Sequence, residues 1–255
     1  MQELLIIKVG GNVIDNEAVL KQLLTDFCAA PSPKILVHGG GALADKLLVQ
    51  LDIKPIKIDG RRITDAETLE VAVMVYAGSI YKKIVAQLNA QKCNALGLTG
   101  ADLSIIKAHK RPVKTIDYGF AGDIESVDTN KLKKLFSVAD ALVFAPITCD
   151  SNGQLLNTNA DTITSELAAA LSTLYSVNLK FIFDNPGVLT DRYNPESVIP
   201  VLSFADYNKG IAEKTITDGM IPKLHNAFMV QQMGIQNVTL CGTDNWLSGG
   251  GTKIC

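Results

Sequence analysis

Long apolar runs, paired cysteines, clustered histidines and an excess of one charge sign are all missing from this sequence. Each absence removes a class of function. No run approaches the roughly 18 apolar residues of a membrane span, and Met1 leads into Leu4-Leu5-Ile6-Ile7 without a signal-peptide charge pattern. A cytoplasmic protein is expected. The formal net charge is −2 and the basic residues are scattered, which leaves no electrostatic footprint for nucleic acid or anionic membrane and makes small molecules the expected partners. The five cysteines, Cys28, Cys93, Cys149, Cys241 and Cys255, are odd in number, widely spaced and without a CxxC pair, so a reducing compartment fits best. A cytosolic cysteine is usually a small buried hydrophobe, and cysteine catalysis is not expected. His38, His109 and His225 stand far apart, so no protein-held metal centre is expected either. Internal repeats and low-complexity linkers are absent too.

What is present is a chain of 255 residues, 47% of them apolar, enough to bury the core of one large domain or of two closely joined lobes. Short apolar runs at 4–9, 35–38, 141–146, 181–184 and 238–241 read as strands. Amphipathic stretches at 16–27, 42–51, 66–88, 160–171 and 221–233 read as helices. Their alternation defines an α/β protein, a three-layer sandwich with helices on both faces of a mostly parallel sheet. Residues 105–124 alternate and carry Gly119 and Gly122, as hairpins laid over the first lobe would, forming a flap able to cover a substrate. The best lobe boundary lies at 172–176, giving lobes of 1–174 and 175–255, with any cleft between them there.

Three apolar strands run into polar or glycine-rich turns: Lys8-Val9-Gly10-Gly11-Asn12, His38-Gly39-Gly40-Gly41 and Asp184-Asn185-Pro186-Gly187. In a parallel sheet these turns fall at the carboxyl ends of the strands, where ligands bind, and a following helix start offers free N–H groups to a phosphate. Glycine lets backbone amides approach an anion, although it also simply permits a tight turn. A Walker A loop is absent, which excludes a P-loop NTPase. His38-Gly39-Gly40-Gly41 is similar to an esterase HGGG, but no GxSxG nucleophile turn accompanies it. Gly39 to Ala44 satisfies GxGxxA with Asp59 about 20 residues on, yet a dinucleotide reading leaves Lys8 and the later motifs unused.

Taken together, these motifs resemble the N-acetyl-L-glutamate kinases of the amino-acid kinase family over essentially the whole chain. The resemblance implies an N-terminal lobe for the acyl-amino acid and a C-terminal lobe for ATP. The first-strand segment is similar to KxGGN, implying that Lys8 and the Gly11 amide contact the transferring phosphoryl group, with Gly10 beside the nucleotide. The second-strand segment resembles HGGG, implying that Gly40 and Gly41 hold substrate and phosphate. Gly60-Arg61-Arg62-Ile63-Thr64-Asp65 with Ala66-Glu67-Thr68 resembles RVTDAET, which makes Arg62 the implied clamp on the substrate α-carboxylate. Gly119 to Asp123 resembles a substrate-lidding GFVG segment, and Leu156 to Asp161 resembles NxNAD, implying substrate binding by Asn157 and an organising role for Asp161. Asp184 to Leu189 resembles a DVPGVL loop, implying that Asp184, Asn185, Gly187, Val188 and Leu189 lie beside ATP. Thr217 to Lys223 resembles a GGMIPK turn, implying that Lys223 is the second catalytic lysine and that Thr215, Ile216 and Thr217 border the nucleotide. Departures are Phe183 in place of a small polar residue, Ile147-Thr148-Cys149 after Pro146, and a loosely similar loop at 243–251.

Phosphorylating a carboxylate needs no general base, since the nucleophile is already ionised at neutral pH. The difficulty is charge, because an anion must meet a polyphosphate. Two lysines, glycine amides and a Mg2+ ion carried in with ATP would offset that repulsion, with Asp161 holding the ammonium groups. Singly, Lys8 and Lys223 read as solvated charges, Asp161 as a helix N-cap, Asn157 and Asn159 as turn formers, and Arg62 as half of a surface ion pair. A non-catalytic sensor of the same fold would have no need of Lys8, Asp161 and Lys223 together. Acetyl is the acyl group the resemblance implies. Another carboxylate kinase, such as an aminoadipate type, is the neighbouring alternative. Succinyl stays open if a cationic or amide donor reaches the pocket near 120–122 and 146–149; no residue of those segments is clearly such a donor, although Lys114 is close in sequence. The first strand begins near Leu4, leaving no room for the N-terminal helix of arginine-inhibited hexameric relatives, so a homodimer insensitive to arginine is expected.

Overall fold

The computed structural model describes residues 1–58, 60–191, 193–216 and 220–255. Asp59 and Thr217 therefore lie outside the described residues. An eight-stranded sheet forms the middle layer, in the order Val201–Leu202, Thr252–Ile254, Asn237–Gly242, Ser176–Phe183, Glu3–Val9, Lys34–His38, Ala141–Phe144, Ala95–Leu98. The five strands expected from the sequence are the five contiguous central ones, and all pair in parallel. Thr252–Ile254 runs antiparallel to Asn237–Gly242, and Val201–Leu202 pairs with it in parallel at the outer edge.

Central parallel strands are covered on both faces, which is why they read as unbroken apolar runs. In Glu3–Val9 the side chains alternate between two cores. Leu4 and Ile6 pack into one, with Ile163, Leu167 and Leu171 of the helix Ala160–Leu171 and Leu224 and Phe228 of the helix Ile221–Gln232. Ile7 and Val9 pack into the other, with Leu20, Leu24 and Phe27 of the helix Glu17–Ala29 and Ile84 and Leu88 of the helix Tyr81–Ala90. Each such side chain contributes about 1.5–3 kcal/mol by leaving water. Both cores draw on residues before 172 and after 176.

The stretch expected as one helix over 66–88 is continuous, but it widens over Val73–Ile80 to a looser turn in which Tyr81 N–H donates to the Tyr76 carbonyl. That widening places Tyr76 and Ile80 against Gly40. The expected hairpin exists: Ile106–Lys110 pairs antiparallel with Gly122–Val127, in a small sheet with Ile147–Cys149 and Leu155–Asn157. This second sheet overhangs the carboxyl ends of the central strands on the side of Lys34–His38.

Candidate active site

The period of two in Glu3–Val9 sends Lys8 to the same face as Leu4 and Ile6, where the helix Ala160–Leu171 begins. Asn159 caps that helix, its side chain accepting from the N–H groups of Asp161 and Thr162. The N-cap reading of Asp161 is thereby corrected: Asn159 takes that task and leaves the Asp161 carboxylate free to pair with Lys8, Nζ to Oδ1 2.9 Å. The helix N-terminus favours that anion. Both side chains are mostly buried, at 13% and 17% exposure, so water screens the pair only partly.

Gly11 and Gly41 are the first residues of the helices Gly11–Asp15 and Gly41–Gln50, so their N–H groups have no partner within those helices. The two turns lie back to back: a Cβ on Gly11 would stand 3.8 Å from the backbone nitrogens of both Gly40 and Gly41. Gly40 itself cannot be replaced without strain. Its φ is 146°, and a Cβ there would come within 2.2 Å of Ile80 Cδ1. His38 is fully buried beneath this turn, with Nδ1 2.7 Å from the Gly39 carbonyl, and burial pushes its pKa down to about 4.

Arg62 is a buried arginine at 8% exposure, which corrects the surface-pair reading. It does pair with a carboxylate, Asp45, and also donates to the Gly41 carbonyl at 3.0 Å. Asp45 stands one helical turn after Gly41 and also takes Lys57. Burial pushes the Asp45 carboxyl up, but the hydrogen bonds and charges of Lys57 and Arg62 outweigh it and hold the group below its ordinary range. Asn157 donates from Nδ2 to Thr64 Oγ1 at 3.0 Å, tying the segment after Arg62 to the overhanging sheet.

These groups enclose one cavity of about 250 Å3. Lys8, Gly11, Gly40, Gly41, Arg62, Asn157 and Asp161 all line it, so seven residues singled out from separate motifs converge. Lys57, Tyr76 and Arg111 line it as well, and the sequence reading passed over them. Arg111 forms a fork with Asp123, Nε to Oδ1 3.0 Å and to Oδ2 3.2 Å, and its guanidinium stacks 5.2 Å from the Tyr118 ring centre. Lys114, the cation noted near this segment, is exposed and outside the cavity wall.

Lys223 does not line the cavity but feels it. Its pKa is lowered, first by burial and then by the Lys8 charge, with Asp184 and Asp161 opposing. The ammonium rests 4.5 Å from the Phe183 ring centre, so the residue that departs from the family pattern is the platform for the second lysine. Asp184 is exposed and accepts from Asn12 Nδ2 at 2.6 Å. Of the other residues expected beside nucleotide, Asn185 and Thr215 are exposed, whereas Val188 and Ile216 put their side chains into the core and leave only backbone for a ligand.

Such a site, with the Lys8 ammonium, helix-start amides and a buried guanidinium around a small cavity at strand ends and a second ammonium, Lys223, near enough to feel Lys8, suits transfer of a phosphoryl group to a small acid. Residues 3–241 match the amino acid kinase family, and the chain belongs to that family. It is 49% identical over 253 residues to a Bacteroides fragilis protein named acetylglutamate kinase, covering 99% of this chain and 97% of that one. A protein of the same name from Methanopyrus kandleri is 34% identical, covering 98% and 99%. The crystal structure of a Streptococcus mutans UA159 protein superposes with a TM-score of 0.80 at 24% identity, covering 98% of both chains, a likeness of fold.

Proposed function

We propose that this chain is an ATP-dependent kinase that phosphorylates the side-chain carboxylate of N-acetyl-L-glutamate, yielding N-acetyl-L-glutamyl 5-phosphate and ADP in arginine biosynthesis. The observation that carries the reading is the convergence of the Lys8–Asp161 pair, the Gly11 and Gly41 amides and the buried Arg62 on one cavity. The names of the relatives support the substrate.

In this reading Arg62, already oriented by Asp45, takes the α-carboxylate, and Asn157 takes the acyl amide. The side-chain carboxylate then lies between Lys8 and the amides of Gly11, Gly40 and Gly41. ATP, with the Mg2+ it carries, supplies the phosphoryl group. Lys8 and Lys223 stabilise the charge that shifts onto the transferring oxygens, and Asp161 keeps Lys8 in place. Residues 1–174 serve the acyl-amino acid and 175–255 the nucleotide, through Gly10 and the segments Asp184 to Leu189 and Thr215 to Thr217. A homodimer in the cytoplasm accompanies this reading.

A coupled assay of ADP release across acylated amino acids tests it. Turnover with N-acetyl-L-glutamate and poor turnover of free glutamate are expected, because the α-ammonium of glutamate would meet donors arranged for a neutral amide. No ADP release with any acylated amino acid would leave the sensor reading in its place.

A further inference from the structure

The cavity wall can be followed residue by residue away from Lys8. Asn157 bonds Thr64 through its side chain and pairs with Ala121 through its backbone. The Ala121 carbonyl accepts from Arg111 N–H at 2.8 Å. A glutamyl group with its reacting carboxylate at Lys8 and its α-carboxylate at Arg62 therefore directs its acyl chain past Asn157 and Ala121 towards Arg111. An acetyl group ends in a methyl, which offers nothing to a guanidinium.

Arg111 is not a solvated surface cation. Its side chain is 18% exposed in the ion pair, stacks on Tyr118 and lines the cavity. Asp123 takes the Nε and Nη2 edge, so Nη1 is outside that fork and, among the described residues, its donors remain for a second acceptor. Asp123 and Tyr118 hold the guanidinium as a preorganised donor, the arrangement that recognises a carboxylate with little loss of side-chain freedom.

Resting on the kinase reading, we infer that this pocket also takes N-acylglutamates whose acyl chain ends in a carboxylate, of the succinyl class, and that Arg111 reads that second carboxylate. The chemistry of transfer is unchanged, and Arg111 acts as a specificity-determining residue remote from the reacting oxygen.

The test compares N-succinyl-L-glutamate with N-butyryl-L-glutamate, which has the same chain length without the terminal charge, and includes N-acetyl-L-glutamate. The parent enzyme is expected to favour succinyl over butyryl at least tenfold in kcat/KM. In Arg111→Met that ratio should fall to near one, and Arg111→Lys should restore part of it. A ratio cancels any general loss of fold or phosphoryl transfer. A parent ratio near one overturns the inference, as does a ratio indifferent to Arg111→Met or a rise in KM confined to ATP. Should the parent turn over none of the three compounds, the kinase reading fails; calorimetric binding of succinyl- against butyryl-glutamate then still decides the role of Arg111.

Discussion

The cavity and the loops proposed to hold nucleotide are built in different ways. Around the cavity, charged side chains are fixed by other charged side chains: Lys8 by Asp161, Arg62 and Lys57 by Asp45, Arg111 by Asp123. On the nucleotide side Asn185 and Thr215 are exposed, and beside the Asn12–Asp184 hydrogen bond the anchors Val188 N–H to Thr252 Oγ1 at 2.8 Å and Thr215 Oγ1 to the Gly210 carbonyl at 3.2 Å each have a backbone group at one end and no ion pair. A small acid of fixed size can be met by preorganised charges, whose ordering cost is already met on folding. Loops with few side-chain ties open locally at lower cost, which suits a large ligand that enters and leaves at every turnover.

The comparison breaks most sharply at the two lysines. Lys8→Ala or Lys223→Ala should lower kcat by about two to three orders of magnitude with folding retained, the scale of losing one preorganised electrostatic group. A variant whose steady-state rate stays within a few-fold of the parent removes that lysine from the mechanism.

Next comes the rigidity of the glycine turn above His38. Burial lowers the His38 pKa from 6.5 to about 4. Above pH 6.5 neither the folded nor the unfolded chain is charged there, and stability is undiminished. As pH falls towards 4 the unfolded chain binds a proton that the folded chain refuses, and about 3 kcal/mol of stability is lost. Denaturant unfolding of the parent should therefore weaken more steeply over this window than that of His38→Asn. Parallel curves would mean that His38 charges within the fold.

Arg62→Ala should raise KM for the acyl-amino acid at least tenfold and for ATP much less, since the guanidinium belongs to the cavity alone. A larger effect on ATP would merge the two regions. The smallest effect is expected at Phe183→Leu, which removes the aromatic face under Lys223 and keeps an apolar side chain: about 1 kcal/mol, or a several-fold drop in kcat with KM for the acyl-amino acid unchanged. An unaltered kcat would show that Lys223 needs no platform.

The central strands were legible because two-sided burial writes an uninterrupted apolar run, and the site glycines because tight turns at strand ends need them. Ala95–Leu98 escaped notice, being short and half-buried over its first three residues, as did the three-residue strand Thr252–Ile254. The helices Gly11–Asp15, Thr129–Leu135 and Phe204–Ala212 are likewise too short for a strong period. In the site, Lys8, Arg62, Asn157 and Asp161 stood in recognisable motifs. Asp45, Lys57 and Arg111 did not: each gains its place from a partner brought in by the fold, and a lone charge beside a strand or on a helix face carries no mark of that. The one visible hint for Arg111 was its position at the end of an alternating strand, just before the expected flap turn.

The strand Glu3–Val9 pairs on one side with Lys34–His38 and on the other with Ser176–Phe183. Its second edge therefore waits, during synthesis, for a segment made far later, and that loop must close before the sheet is whole. Until then an apolar strand edge stays open to neighbours, the kind of surface that chaperones cover and that aggregates when they do not. A ribosome-stalled chain ending near residue 174 should accordingly be protease-sensitive and prone to self-association, and so should one that releases residue 183, because Ser176–Phe183 then waits in turn for Asn237–Gly242; protection is expected only once residue 242 has left the exit tunnel.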